Sequence, residues 1–151
     1  MLWFCEEIFP KVLKEKHNLK LHIVGSNPTK EIIDLESDNI IVRGFMEDID
    51  LSNLYSEVRV TIAPLRYGAG IKGKIIESMY NGVPVVTTSC GAEGICDKIL
   101  MVADSAEKFA KEIILTYSNY DKLNNLSAEG KEFINENYSI DSAIKKIKEI
   151  F

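Results

Sequence analysis

The chain has 151 residues, 46% of them apolar and 27% charged, with a net charge of −5, which suits one soluble domain around a single core, and no segment approaches the length of a membrane-spanning helix. No basic stretch is interleaved with aromatics, so nucleic acid is not an expected partner. The three cysteines Cys5, Cys90 and Cys96 are too few and too scattered for a disulfide scaffold, and His17 and His22 stand apart from them, so no metal site is expected and the reducing cytoplasm is the expected compartment.

The opening Met1 to Glu7 is apolar but lacks the basic flank and long apolar run of a signal peptide. Phe4, Ile8 and Val12 recur at helical spacing, with Pro10 expected to kink that helix or mark its first turn. Leu19–Val24, ending at Gly25, reads as a strand. Thr29 to Glu36 follows as a short helix. Asn39–Arg43, ending at Gly44, is a second strand, and Asp50 to Glu57 a second short helix. Thr29 and Asp50 are residue types that cap helices. Val58–Ala63 is a third strand, stopped by Pro64. Gly73 to Asn81 reads as a helix ended by Gly82 and Pro84. Val83–Thr88 and the weaker Ile99–Val102 complete five strands. Phe109, Ile113 and Tyr117 line one helix face. Tyr117 to Tyr138 is polar and reads as a surface helix region. Ile140, Ile144, Ile147 and Phe151 line the last helix, with Ser139 as its cap.

Strands alternating with helices predict an α/β fold, a Rossmann-like parallel sheet with helices on both faces. Ligands of such sheets bind at the carboxyl ends of the strands. That rule selects the turns at Gly25, Gly44, Pro64 and Ser89.

The richest of these turns is Pro64-Leu65-Arg66-Tyr67-Gly68-Ala69-Gly70-Ile71-Lys72-Gly73-Lys74. A strand enters it and a helix leaves it. Free N–H groups at the helix start carry partial positive charge, glycines admit close approach, and Lys72, Lys74 and Arg66 add full charges. This chemistry points to a phosphate. A glycine-rich turn with solvated lysines is the plainer alternative. Gly68-x-Gly70-x-x-Gly73 also fits the dinucleotide fingerprint, but strands precede it and no acidic residue ends the next strand. Gly68 to Lys74 is nearly a P-loop, yet Ile75 stands where a magnesium-ligating hydroxyl is required.

Past the loop, Glu77-Ser78-Met79-Tyr80-Asn81-Gly82-Val83-Pro84-Val85-Val86 and then Gly91-Ala92-Glu93-Gly94 resemble the C-terminal domain of glycosyltransferase family 4. Glu77, Met79, Gly82, Pro84, Val85 and Val86 fall in register with that family's pattern. The turns at Val24-Gly25 and Gly44-Phe45, with Asp48, follow its order and spacing. The resemblance covers about residues 20 to 105.

The resemblance implies one half of a GT-B fold, residues 1–151 forming the nucleotide-sugar-binding domain without its first strand and without the N-terminal acceptor domain. It implies sugar transfer from a nucleotide diphosphate sugar to a glycan or lipid-linked acceptor in cell-surface polysaccharide synthesis. Retention of anomeric configuration and peripheral membrane association of the full enzyme belong to the same expectation. Glu77 is expected to accept hydrogen bonds from the ribose. The Gly70, Ile71 and Gly73 backbone with Lys72 and Lys74 is expected to meet the diphosphate, the two lysines stabilising the leaving group without a metal or other cofactor. Gly25, Arg66 and the Gly44-Phe45-Met46 turn complete the donor site. Two departures stand out. Ala69 occupies the position of a second, sugar-contacting glutamate, and the phosphate-binding loop after the first strand is missing. The alternatives are a non-catalytic nucleotide-binding module and a NAD-binding domain.

A missing first strand leaves Leu21–Val24 and Val60–Ala63 each short of a neighbour. Direct pairing of the two, giving a five-stranded sheet, is the expected remedy. An element from another chain, or Met1 to Cys5 as a substitute strand, are the other two.

Overall fold

The computed structural model describes residues 1–95 and 97–150. Cys96 and Phe151 lie outside the described residues. A π-helical turn, Phe4–Ile8, leads into α1 (Phe9–Glu15), and Pro10, which has no N–H to give the preceding turn, follows directly on that wider turn. Then follow β1 (Leu21–Val24), α2 (Lys30–Ile33), β2 (Ile40–Gly44), α3 (Asp48–Glu57), β3 (Thr61–Ala63), α4 (Gly73–Tyr80), β4 (Val85–Thr87), α5 (Ser89–Ala92), β5 (Met101–Val102), α6 (Ala106–Ser118), α7 (Tyr120–Tyr138) and α8 (Ile140–Ile150). All strand pairs are parallel, as expected for strands joined through helices.

The strands start later than the apolar runs. Leu19, Val58 and Val83 lie before β1, β3 and β4, in segments that approach the sheet without joining its ladder. Thr29 precedes α2 without a side-chain cap bond, and α3 begins two residues before Asp50, so neither residue caps as expected. Ser139 does cap α8: its Oγ accepts from the Ser142 N–H at 3.1 Å. Gly82 ends α4 at φ 72°, a conformation that favours glycine.

Residues of one strand serve two cores. Val86 joins Phe4, Ile8, Phe9, Val12, Phe109 and Ile113 on one face. Val85 joins Ile75, Met79, Ile95, Leu100 and Ile134 on the other. That alternation is the strand period of two, and it makes β4 the buried centre of its sheet. Phe4 and Phe109 meet edge to face, centroids 5.9 Å apart, locking the amino end onto α6. The Tyr117–Tyr138 region is less superficial than its polarity implies. α7 buries Leu123, Gly130 and Ile134 and packs along α4, with Gly130 beside Met79. Ile140, Ile144 and Ile147 of α8 share a face that stays in solvent.

The expected five-stranded sheet does not form. The strands make two sheets, β1-β2 and β3-β4-β5, and among the described residues no backbone hydrogen bond joins β1 to β3. Met1 to Cys5 do not substitute, because Leu2 onward is helical. The gap is filled from the helix layer: α1 packs against α6, α6 lies on β4, and Phe9 and Val12 of α1 with Ile113 of α6 line the space between β1 and β3.

Candidate nucleotide-binding site

The carboxyl ends of β1 and β2 are joined where Gly25 N–H donates to Gly44 O at 2.8 Å. Gly44 turns the chain at φ 68° into Phe45 and Met46. Phe45 is 66% exposed and Met46 half-buried. Core packing, the ordinary role of such residues, does not account for Phe45, which presents a bare ring beside this turn.

β3 ends in the glycine loop. Gly68 and Gly70 take φ of 136° and 74°, values that a side chain would strain. They bring the chain to Gly73, where α4 starts with no side chain capping its first N–H groups. Lys72 folds back so that its Nζ donates to Gly70 O, and it lies 3.8 Å from Glu93 Oε2. Its side chain is 14% exposed, against 78% for Lys74. The two lysines are therefore unlike. Lys72 is held and partly neutralised, and Lys74 is free to move around a loose contact, 4.0 Å from Glu77 Oε2. Glu77 lies one turn into α4, half-exposed. The nearby Tyr55 phenol is pushed up chiefly by burial and further by the Glu77 charge, against a lowering hydrogen bond with Ser78.

A second loop backs the first. Thr88 Oγ1 donates to Leu65 O and accepts from Gly91 N–H at 3.2 Å. Thr87 Oγ1 donates to Ala63 O at 2.8 Å. Gly94, at φ 77°, leaves room for Ile71: a methyl there would stand 3.1 Å from Ile71 Cγ1. α5 is anchored in turn by Asp104, whose carboxylate accepts from Ser89 N–H at 2.8 Å and Ser89 Oγ at 2.5 Å. Those bonds, the hydroxyl's first, hold Asp104 below the usual carboxylate range.

Gly70, Ile71, Lys72, Gly73, Lys74 and Glu77 thus form one continuous surface, and Gly25, Gly44, Phe45 and Met46 a second. No hydrogen bond or ion pair ties the two groups among the described residues. Arg66 belongs to neither. Its guanidinium lies 5.6 Å over the Trp3 ring, in a cleft of about 420 Å³ that Thr88, Cys90 and Asp104 also line. Sequence spacing did not reveal the roles of Glu93, Asp104 or Trp3, since each depends on a partner brought close only by folding. No group of metal-binding side chains occurs among the described residues, and no helix among them is long and apolar enough to cross a membrane.

A family model described as Glycosyl transferases group 1 matches residues 1–119. A 44.6 kDa protein in the cps region of Klebsiella pneumoniae is 30% identical over 157 aligned positions, covering 97% of this chain and 40% of that protein. The chain therefore spans less than half the length of this relative. Among solved structures, the C-terminal domain of a glycosyl transferase group 1 family protein (LpcC) from Francisella tularensis superposes with a TM-score of 0.72 at 18% identity, over 87% of this chain and 78% of that one. TarM of S. aureus, solved as a variant with Fondaparinux, alpha-GlcNAc-glycerol and UDP, gives 0.74 at 21% identity over 93% and 30%. WaaG, a glycosyltransferase involved in lipopolysaccharide biosynthesis, gives 0.66 at 17% identity over 91% and 41%. The α/β fold is that of GT-B glycosyltransferase domains, and the chain belongs to the group 1 glycosyl transferases.

Proposed function

We propose that residues 1–151 form the donor-binding part of a glycosyltransferase and hold the nucleoside diphosphate of a nucleotide sugar at the glycine loop and α4. The observation that carries this reading is the uncapped start of α4 at Gly73, with Lys72 and Lys74 beside it and Glu77 one turn along. Backbone N–H groups and ammonium groups meet the diphosphate, and the Glu77 carboxylate accepts from the ribose hydroxyls. The exposed Phe45 and the half-buried Met46 offer apolar surface to the base. In the complete enzyme these positive groups stabilise the diphosphate as it leaves, and the bond to the sugar breaks as an acceptor hydroxyl takes its place, with no metal required. A relative in a cps region, a neighbour solved with UDP, and a neighbour named for lipopolysaccharide biosynthesis support a glycan or lipid-linked acceptor in cell-surface polysaccharide synthesis. The acceptor site belongs to sequence outside residues 1–151, and so do peripheral membrane contacts of the full, cytoplasmic enzyme.

Calorimetric titration of the purified chain with UDP, GDP, ADP and NAD tests the reading. Binding of one nucleoside diphosphate in preference to NAD is expected. Preferential NAD binding would replace this reading with a dinucleotide domain, and binding of none would remove it. The same preparation is expected to transfer no sugar at a useful rate. Efficient transfer to a defined acceptor would show that residues 1–151 carry a whole active site.

A further inference from the structure

Between Pro64 and Gly73 the glycine loop carries no acidic side chain, yet folding brings a carboxylate against it. Glu93 closes α5 at its carboxyl end and reaches toward Lys72, 3.8 Å from its Nζ. The backbone of Glu93 is fixed from both sides. Ala92 before it and Ile95 beyond it are buried, and the Ile95 N–H donates to Ala92 O at 2.9 Å. Asp104 and Thr88 Oγ1 pin the start of α5. The Cys90 S–H donates to Gly68 O at 3.5 Å, joining the same short helix to the loop. The Glu93 side chain takes no part in that framework. It is 58% exposed, and among the described residues its oxygens accept no hydrogen bond. A carboxylate offers about four acceptor positions. Lys72, at 3.8 Å, fills none of them, because a charge-assisted hydrogen bond is about 2.8 Å long.

The donor site proposed above sets the direction in which a ligand runs, and this inference rests on that site. Glu77 lies one turn along α4 from Gly73, about 6 Å down the helix axis. With the ribose at Glu77 and the diphosphate at Gly73, the ligand runs toward the start of α4 and on past it. In a nucleotide sugar, the sugar hangs from the phosphate remote from the ribose. It therefore lies beyond Gly73, where Lys72 and Glu93 stand. We propose that Glu93 recognises the sugar of the donor, its carboxylate accepting hydrogen bonds from the sugar hydroxyls. Lys72 stands at the join, its ammonium between the diphosphate and the Glu93 carboxylate. The ligand selected is a sugar with free hydroxyl groups on the face turned to α5. An acceptor carried on a fixed backbone binds such groups at a small ordering cost, since only its own side chain must settle. Glu93 is thus a specificity residue, and Glu77 and the loop hold what every nucleotide sugar of one base has in common.

The test reads a ratio of affinities within each protein. Calorimetry compares the parent, Glu93→Ala and Glu93→Gln on UDP with UDP-glucose, GDP with GDP-mannose, and ADP with ADP-glucose. In the parent, one sugar nucleotide is expected to bind roughly tenfold tighter than its own diphosphate. In Glu93→Ala that difference is expected to shrink to about twofold or less, with Glu93→Gln between the two. The plain diphosphate is expected to bind both variants at least as well as it binds the parent, which also shows that their fold is intact. A role for Glu93 in shaping the loop would move both members of a pair together. The ratio would then keep its parental value, and the proposal would be overturned. It would be overturned equally by a parent in which the sugar adds nothing to the affinity of any diphosphate. A parent that binds none of the three diphosphates would instead remove the donor site itself, and this inference with it.

Discussion

At the scale of single residues, the site rests on unequal charges. Glu77 is the group expected to recognise the ribose, and loss of a charge-assisted hydrogen bond costs about 2 kcal/mol, or about thirtyfold in affinity. Glu77→Ala and the double change of Lys72 and Lys74 to Ala are each expected to weaken nucleoside-diphosphate binding by about that factor. Calorimetry giving parental affinity for both would move the site elsewhere. Glu93 acts in the opposite sense. Its carboxylate sits 3.8 Å from Lys72 Nζ, where it would compete with the proposed diphosphate for the same ammonium. Glu93→Gln is therefore expected to tighten binding about two- to fivefold, the size of a partly exposed pair, with the gain fading at high salt. Weaker binding would mean that the pair positions Lys72 more than it neutralises it. The glycine loop, the two lysines and Glu77 were legible in the sequence because they are contiguous. Glu93 could be placed only in a later turn, and its pairing with Lys72 is a contact between two loops that also sets Ile71 beside Gly94.

Elements were legible to the extent that their periodicity was local. All five strands and the long helices fall where the apolar runs place them. The exceptions have physical causes. Val58 and Val83 are strand-like residues that end up outside the ladder, since β propensity records packing against neighbours and not pairing itself. The burial of α7 rests on Leu123 and Ile134, two apolar residues in an otherwise polar stretch, whose turn toward the core no local pattern announces. α5, only four residues long, is held by Asp104, which satisfies its first N–H. The Asp104 pKa is lowered on folding, so its stabilising effect is complete above the ordinary aspartate value of about 3.9 and disappears as pH falls through the lowered value. Urea midpoints of the parent and Asp104→Ala are expected to differ by a constant amount above about pH 5 and to converge in more acidic solution. A gap that persists undiminished at about pH 2 would assign the effect to packing instead.

For the whole molecule, the expected architecture of parallel strands and covering helices holds, and the expected closure of the sheet does not. Alternation of strands and helices fixes the layers, but a gap between strands depends on how far apart the helix layer holds them, which no periodicity records. The two-sheet arrangement also bears on how fast the chain folds. Each strand pair joins strands consecutive in sequence: β1 with β2, β3 with β4, β4 with β5. Such pairings close short loops and form early, whereas distant contacts pay a larger loop entropy first. Here the distant contact is the aromatic cluster of Trp3, Phe4 and Phe109, with Trp3 and Phe4 each edge-on to Phe109. Assembly then ends with the amino end clasping α6, after the strands have found their partners. Truncation of the fully buried Phe109 to alanine, worth about 3–5 kcal/mol, is expected to appear almost wholly as faster unfolding in stopped-flow chevrons, with the refolding limb unchanged. A slowed refolding limb would instead make the clasp the nucleus around which the strands gather.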